Sequence, residues 1–517
     1  MNSNKFILIV MTCLICLASS TALAGPSQAA TADFATIDKF IEMEMEAQRI
    51  PGLALGIVQG DQIIHLKAFG LADPSGRAVT PQTPFIIGSL SKSFTALAIM
   101  QLVEEGKVEL DAPVQRYLPW FRVADEAASA QITVRHLLYQ TSGLSTKTGR
   151  SFQGSGDTSD GALEAAVRKL SAAELTGPVG AAHQYSTINY SALGLIVQTV
   201  SGQSYETYIQ EHIFDRLEMQ NSFTSQAEAQ PLGLATGYHY AFGIPRAVEL
   251  PYNRGLLPAG YLISSAEDMA HYLIAQLNTG KYKNAMVLSP DGMIEMHNPA
   301  VPSGATDTSY GMGWFVGPIN GIPAIHHQGE TFNFHSNMIL LPNSHMGIVV
   351  LINGENSMDL LFGTARLASI SQGVASLLAG QTPPTPPANT SVWVVYGILI
   401  GLIVIQVGGV ILSARKLQSG LLAVDRVRVG RHILLPLVLN LGWALITLVL
   451  LPKLIFGLPL MIFATGLPDL GYTLLVSGLI ALGWGILRTV MIYSASRARS
   501  KANSLRTASE AAAGANK

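Results

Sequence analysis

Phe85-Ile86-Ile87-Gly88-Ser89-Leu90-Ser91-Lys92-Ser93-Phe94-Thr95-Ala96 sets an apolar run and a glycine ahead of a helical stretch. On a helix, residues three apart share a face, so Lys92 stands one turn above Ser89 with its amine near the hydroxyl. A serine is a poor nucleophile at neutral pH and needs a base or a low-pKa neighbour. Burial and a helix N-terminus lower the proton affinity of a lysine, which lets it act as that base. The tetrapeptide Ser89–Lys92 also fits a helix-capping serine followed by a surface lysine, and alone it does not separate the two readings.

The flanking sequence gives the stretch a setting. Leu53–Val58 and Ile63–Phe69 are apolar runs around Gly60-Asp61, a hairpin pattern. Far along the chain, Ser336–Leu341 and Gly347–Ile352 flank Pro342-Asn343-Ser344, a second hairpin. Between them lie helical patterns over Phe94–Glu105, Val134–Leu138, Tyr190–Val200, Tyr205–Leu217 and Ala266–Asn278. Two strand groups around a long helical insert predict an α+β domain over 33–375, with one antiparallel sheet built from both ends. Several chemistries lack their entry motifs. The sequence contains no G-x-S-x-G, H-E-x-x-H, Walker A or G-x-G-x-x-G pattern.

Further segments follow Ser89 in a recognisable order. They are Ile132-Thr133-Val134-Arg135-His136-Leu137-Leu138 with Thr141-Ser142-Gly143-Leu144, and Tyr185-Ser186-Thr187-Ile188-Asn189-Tyr190. Then come Pro258-Ala259-Gly260-Tyr261, Tyr310-Gly311-Met312-Gly313-Trp314 and His327-Gln328-Gly329. Together with Ser89–Lys92 they resemble the motifs of class C β-lactamase-related serine hydrolases, which include penicillin-binding proteins. The resemblance covers roughly 35–370. It implies a β-lactamase/transpeptidase-like fold and an acylated Ser89. Lys92 and Tyr185 would share proton transfer, and the backbone N–H groups of Ser89 and Glu330 would form the oxyanion hole. Such a donor is worth ~3 kcal/mol or more. Thr187, His327, Gly329 and Glu330 would bind substrate.

Two positions depart from the commoner pattern. Thr187 stands where the second motif usually has asparagine, and its hydroxyl is shorter than an amide and cannot bridge two groups. Asn189, two residues on, is the alternative anchor. His327 replaces the lysine of penicillin-binding enzymes; at an ordinary pKa of ~6.5 it would be mostly neutral at pH 7 and gain charge in mild acid. His136 reads as structural, His326 as a residue of the opposite sheet face, and Tyr310 and Trp314 as core or cleft wall. No His or acidic pair has supported ligand spacing, so no metal and no cofactor is expected.

The 517 residues exceed one compact core, and 13% charged residues with a mean hydropathy of +0.33 indicate contact with lipid. Residues 25–391 hold 19 Lys and Arg against 31 Asp and Glu, whereas 392–517 hold 12 against 3. The acidic larger part argues against a nucleic-acid surface. Residues 1–24 read as a signal peptide ending in Ala22-Leu23-Ala24, and they contain both cysteines, Cys13 and Cys16. A mature chain would then have no thiol chemistry. Residues 376–391 form a Pro-rich linker, followed by membrane-spanning helices over 392–412, 433–451 and 470–490 and a basic tail over 491–517. Basic residues crowd 413–432 and the tail, which places both in the cytoplasm and the catalytic domain outside the cell membrane. Leu454–Gly466, apolar but short and holding Pro459, reads as interfacial or re-entrant.

The sequence therefore predicts a membrane-anchored serine hydrolase that cleaves an amide or ester, with a D-amino-acid-containing peptide or a related small substrate. A peptidase removing an N-acyl-D-amino-acid cap from a prodrug shares the same overall plan. A penicillin-binding sensor without turnover is the rival outside enzymes, although the expected cytoplasmic segments are too short for a signalling domain. The expected partners are a small-molecule or peptide substrate and the lipid bilayer; no protein partner is inferable.

Overall fold

The computed structural model describes residues 33–150, 156–361, 366–386, 388, 390–419, 433–456 and 460–514. The expected signal peptide and residues 420–432 of the first basic stretch lie outside them.

An eight-stranded sheet takes its strands from both ends of the 33–375 region, as expected. Its members are β1 (Gly52–Gln59), β2 (Gln62–Gly70), β3 (Val301–Pro302), β4 (Ser309–Tyr310), β5 (Phe315–Ile319), β6 (Ile322–Glu330), β7 (His335–Leu341) and β8 (Met346–Ile352). The order is β2-β1-β8-β7-β6-β5-β4-β3 and every pairing is antiparallel. The long-range seam runs between β1 and β8, from Leu53 opposite Ile352 to Gln59 opposite Met346. Gly60, at φ +60°, takes the left-handed conformation that turns β1 into β2.

β1, β7 and β8 are buried along almost their whole length, because helices cover both faces. Alternate residues serve two cores. Leu55, Ile57, Ile339, Ile348, Val350 and Ile352 pack under α1 (Phe34–Gln48) and α5 (Ala368–Leu378). Ala54, Val58, Met338, Leu340, Val349 and Leu351 face the larger core of the helical insert. That core holds α2 (Ser91–Glu104), α3 (Thr187–Ser201) and α4 (Ala266–Leu277). α2 and α3 are buried nearly all round, which is why their sequences lack a polar stripe.

Three helices are long and apolar enough to cross a membrane: Thr390–Gln418, Leu435–Leu454 and Pro468–Ala511. The first two match the expected runs. The third extends well past the expected end at residue 490, because Arg488–Ala513 contains good helix formers and no Gly or Pro. The short apolar segment resolves into helix Leu451–Phe456 and helix Leu460–Gly466. Its second half touches the α+β domain. Phe332 packs on Gly466, and His239 Nδ1 lies 3.3 Å from the Thr465 carbonyl. The Phe242 N–H donates to Asp469 Oδ1, and the Tyr396 hydroxyl donates to Asp469 Oδ2 at 3.3 Å.

Candidate active site

Ser89 sits in a single 3-10 turn, Gly88–Leu90, that feeds straight into α2. The turn is braced from several directions. Gly88 adopts φ +52°, and a Cβ there would lie 2.5 Å from the Glu330 nitrogen. Only glycine allows both the left-handed backbone and the close approach of β6. The Ser91 hydroxyl donates to the Gly88 carbonyl at 2.7 Å and accepts from the Leu262 N–H at 3.1 Å. The Ser336 hydroxyl donates to the Ile87 carbonyl at 2.7 Å. Ser89 is thereby fixed on rigid backbone while remaining partly exposed.

Lys92 is fully buried, with Nζ 2.9 Å from Ser89 Oγ and 2.6 Å from the Ala259 carbonyl. The surface-lysine reading of the tetrapeptide is therefore excluded. Burial pulls the lysine pKa from 10.5 down to about 7, against a smaller opposing pull from Glu330. A neutral amine can donate to Ala259 and offer its lone pair to the Ser89 hydroxyl. Tyr185 comes up to the same point. Its ring lies 4.9 Å from Lys92 Nζ, and Ser89 is near enough to act electrostatically on its hydroxyl. Burial pushes the Tyr185 pKa well above its ordinary value, so this phenol keeps its proton at pH 7. Desolvation thus leaves a neutral base and a neutral acid on either side of one serine.

The β5–β6 pairing stops at Phe315, opposite His326, so β6 continues past it with a free edge from His327 to Glu330. Gly329 lies against the nucleophile turn, where a Cβ would stand 2.1 Å from the Ile87 carbonyl and 2.3 Å from Ser336 Oγ. This close fit brings the Glu330 N–H beside Gly88 and Ser89, the arrangement an oxyanion hole needs. The Glu330 side chain lies on the face of Gln328 and approaches His335 and Glu355, while His327 and Gly329 share the other face.

His327 departs from the expectation of a residue that charges in mild acid. It is 1% exposed, its Nδ1 lies 2.6 Å from the Gln328 carbonyl and its Nε2 3.4 Å from the Tyr310 hydroxyl. Burial first, then neighbouring Lys92, push its pKa to about 3, so it stays neutral throughout the physiological range. Thr187 opens α3 after the cap residue Ser186, and its hydroxyl has no partner among the described residues. Asn189 points inward. Its Nδ2 donates to Gln140 Oε1 at 2.6 Å and its Oδ1 accepts from Ser142 Oγ at 2.8 Å. It is therefore a brace and not a substrate anchor. His136 closes a capping box with Thr133, as its structural reading expected. Tyr310 and Trp314 are fully buried.

Sequence reasoning missed the Ala259 carbonyl, Ser336 and Gln140. Backbone acceptors leave no residue-type signal. Ser336 becomes relevant only through a strand pairing that the sequence does not display.

Beside the cleft is a cavity of about 420 Å³ lined mostly by apolar groups, among them Ile86, Leu234, Val248, Tyr261, Phe332 and Phe334. Thr331, next to Glu330, stands at one side and Thr465 of helix Leu460–Gly466 at another.

A β-lactamase family model matches residues 37–371, which is more than half of the chain. The chain belongs to the β-lactamase family. Protein flp of Staphylococcus aureus strain MW2 is 30% identical over 319 residues, covering 61% of this chain and 62% of that protein. The match thus spans about three fifths of that relative's length. Penicillin-binding protein 4 of Amycolatopsis lactamdurans is 29% identical over 359 residues, covering 66% of this chain and 90% of the relative. The structure of the octameric penicillin-binding protein homologue from Pyrococcus abyssi superimposes with a TM-score of 0.58 at 26% identity, covering 68% of this chain and 79% of that one. The matched stretch contains the Ser89, Lys92 and Tyr185 constellation, a geometry consistent with serine acyl-enzyme chemistry within this family.

Proposed function

We propose that this protein is a membrane-anchored serine hydrolase that cleaves an amide or ester of a small, D-amino-acid-containing or related substrate outside the cell membrane. The observation that carries the reading is the 2.9 Å approach of a fully buried Lys92 amine to Ser89 Oγ. Lys92 takes the Ser89 proton as Oγ bonds to the substrate carbonyl carbon. The carbonyl oxygen, now an oxyanion, is held by the Ser89 and Glu330 N–H groups. Collapse breaks the bond to the leaving group, which Tyr185 protonates, and leaves acyl-Ser89. Water then gives a proton to the Tyr185 phenolate as it adds to the acyl carbon, the bond from that carbon to Oγ breaks to free the acid, and Lys92 returns its proton to Ser89. These steps need no metal or cofactor. Labelling with a fluorophosphonate or a fluorescent penicillin tests the reading. Ser89 should be the modified residue by mass spectrometry, and Ser89→Ala should abolish labelling; a label on a different serine would refute it.

The contacts of Thr465 and Asp469 with the catalytic domain support a topology in which that domain and the loop before the third apolar helix lie on the same side. The positive-inside pattern makes this the outer side.

A second reading, removal of an N-acyl-D-amino-acid cap, draws support from the apolar cavity between the cleft and the membrane-proximal helix. A cavity of about 420 Å³ suits a flexible acyl chain beside the scissile bond. Turnover of N-acyl-D-amino-acid amides of increasing chain length separates the readings. A rise in kcat/KM with length favours cap removal, and an unchanged value favours short peptides or esters.

A further inference from the structure

Three ionisable side chains meet on the face of the sheet opposite His327. Glu330 ends β6, His335 begins β7 directly opposite it, and Glu355 belongs to a two-residue strand just after β8. Their ligand-type atoms all lie within 4.8 Å of one another. His335 and Glu355 are each only 4% exposed. His335 Nδ1 is 2.8 Å from Glu355 Oε2, and Asn337 Nδ2 is 2.9 Å from the other ring nitrogen. Among the described residues neither carboxylate has a Lys or Arg ion-pair partner; the one ion pair is that of His335 with Glu355. The proton-transfer chemistry at Ser89 uses none of these side chains.

We propose that Glu330, His335 and Glu355 form a binding site for a divalent transition-metal ion of the Zn²⁺ type, behind the strand that carries the Glu330 N–H. Two neighbouring carboxylates in a water-poor site either hold protons or share a cation. Burial already raises the proton affinity of both, to about 7 for Glu330. An imidazole nitrogen with two carboxylate oxygens suits Zn²⁺, Co²⁺ or Mn²⁺ better than Mg²⁺ or Ca²⁺, which prefer all-oxygen sets.

Bonds of ~2.0–2.2 Å place ligand atoms roughly 3.3 Å apart around a tetrahedral ion. The His335–Glu355 pair opens slightly to admit it, and the Glu330 carboxylate closes in by rotation. Binding at Nδ1 shifts the single ring proton of the neutral His335 from Nδ1 to Nε2, and the Asn337 amide turns so that its oxygen accepts from Nε2. A polar group oriented on the far ring nitrogen is the usual companion of a metal-bound histidine. A fourth position remains for water. The ion acts as a brace. It ties the end of β6 to β7 and to residue 355, and so steadies the backbone that presents the Glu330 N–H.

The test uses the full chain in detergent, carrying an affinity tag without histidines and stripped with chelator. Co²⁺ alone is titrated and its visible d–d absorption recorded, followed by displacement with Zn²⁺ and elemental analysis. Wild type should take up one equivalent with an intense tetrahedral-type spectrum. His335→Gln and Glu355→Gln should each weaken uptake by at least ~10-fold. Circular dichroism and thermal melting report whether each variant is folded, and Asn337→Asp, which strengthens the acceptor on Nε2, should retain or tighten binding. No cobalt spectrum in wild type overturns the proposal, as does undiminished uptake in folded His335→Gln or Glu355→Gln.

Discussion

The fall of the Lys92 pKa from 10.5 to about 7 is the most consequential number in the site. An ordinary lysine at pH 7 is neutral in only ~0.03% of molecules, whereas this one is neutral in about half, a gain of ~10³-fold in free base. The same fall corresponds to about 5 kcal/mol acting against protonation. Acylation of Ser89 should therefore rise with pH. The assay is the pseudo-first-order rate of fluorophosphonate labelling from about pH 5 to about pH 9. The rate should climb roughly tenfold per pH unit below pH 7 and level off above about pH 8. Lys92→Ala should lower it by ~10²–10⁴-fold and remove the rising limb. His327→Gln should leave the limb in place, because a histidine with a pKa of about 3 does not titrate in that range. A flat profile in wild type, or a limb that survives in Lys92→Ala, would refute the assignment of Lys92 as the base.

Lys92→Met should abolish labelling yet raise thermal stability. The unfolded lysine binds a proton up to pH ~10.5 and the folded one only up to about 7, so the charge penalty is complete below pH 7 and relieved as pH rises toward 10.5. Its removal should give ~1–3 kcal/mol at neutral pH after the unpaired Ala259 carbonyl is counted. Gly329→Ala should cost ~1–3 kcal/mol and most activity, because the added Cβ meets the Ile87 carbonyl at 2.1 Å; melting and labelling measure the two losses. Asn189→Ala should destabilise by ~1–3 kcal/mol through the orphaned Gln140 and Ser142 groups, with a smaller effect on substrate KM. A reporter active only in the cytoplasm should give signal when fused after Lys517 and none when fused at Gly466.

The fold was legible because its signals are local. The Gly60-Asp61 and Pro342–Ser344 turns and the apolar runs beside them mark the hairpins that build the sheet. The Ser89–Lys92 spacing places its two groups together by helix geometry alone, and the structure keeps that distance. Long-range packing was not legible. The charge state of His327 depends on residues packed against it from β4 and β5, so an ordinary pKa was the wrong starting point. Asn189 sits two residues past a helix start, and the turn of α3 sends it into the core. Glu330, His335 and Glu355 have no motif spacing, since three separate strands bring them together. The length of the last helix was underestimated because the apolar signal stops before the helix does.

The contact of Gly88 with Glu330 has a consequence for the timing of biosynthesis. The nucleophile turn is made early in the chain, but the second oxyanion donor lies near the far end of the domain and is held by strands that pair with β1 only through β8. Pairings of such wide sequence separation close late, after the loop entropy between them has been overcome. A chain still being synthesised therefore carries Ser89 and Lys92 in an unfinished pocket. It stays chemically silent toward the acyl compounds around it until the last strands of the domain have docked.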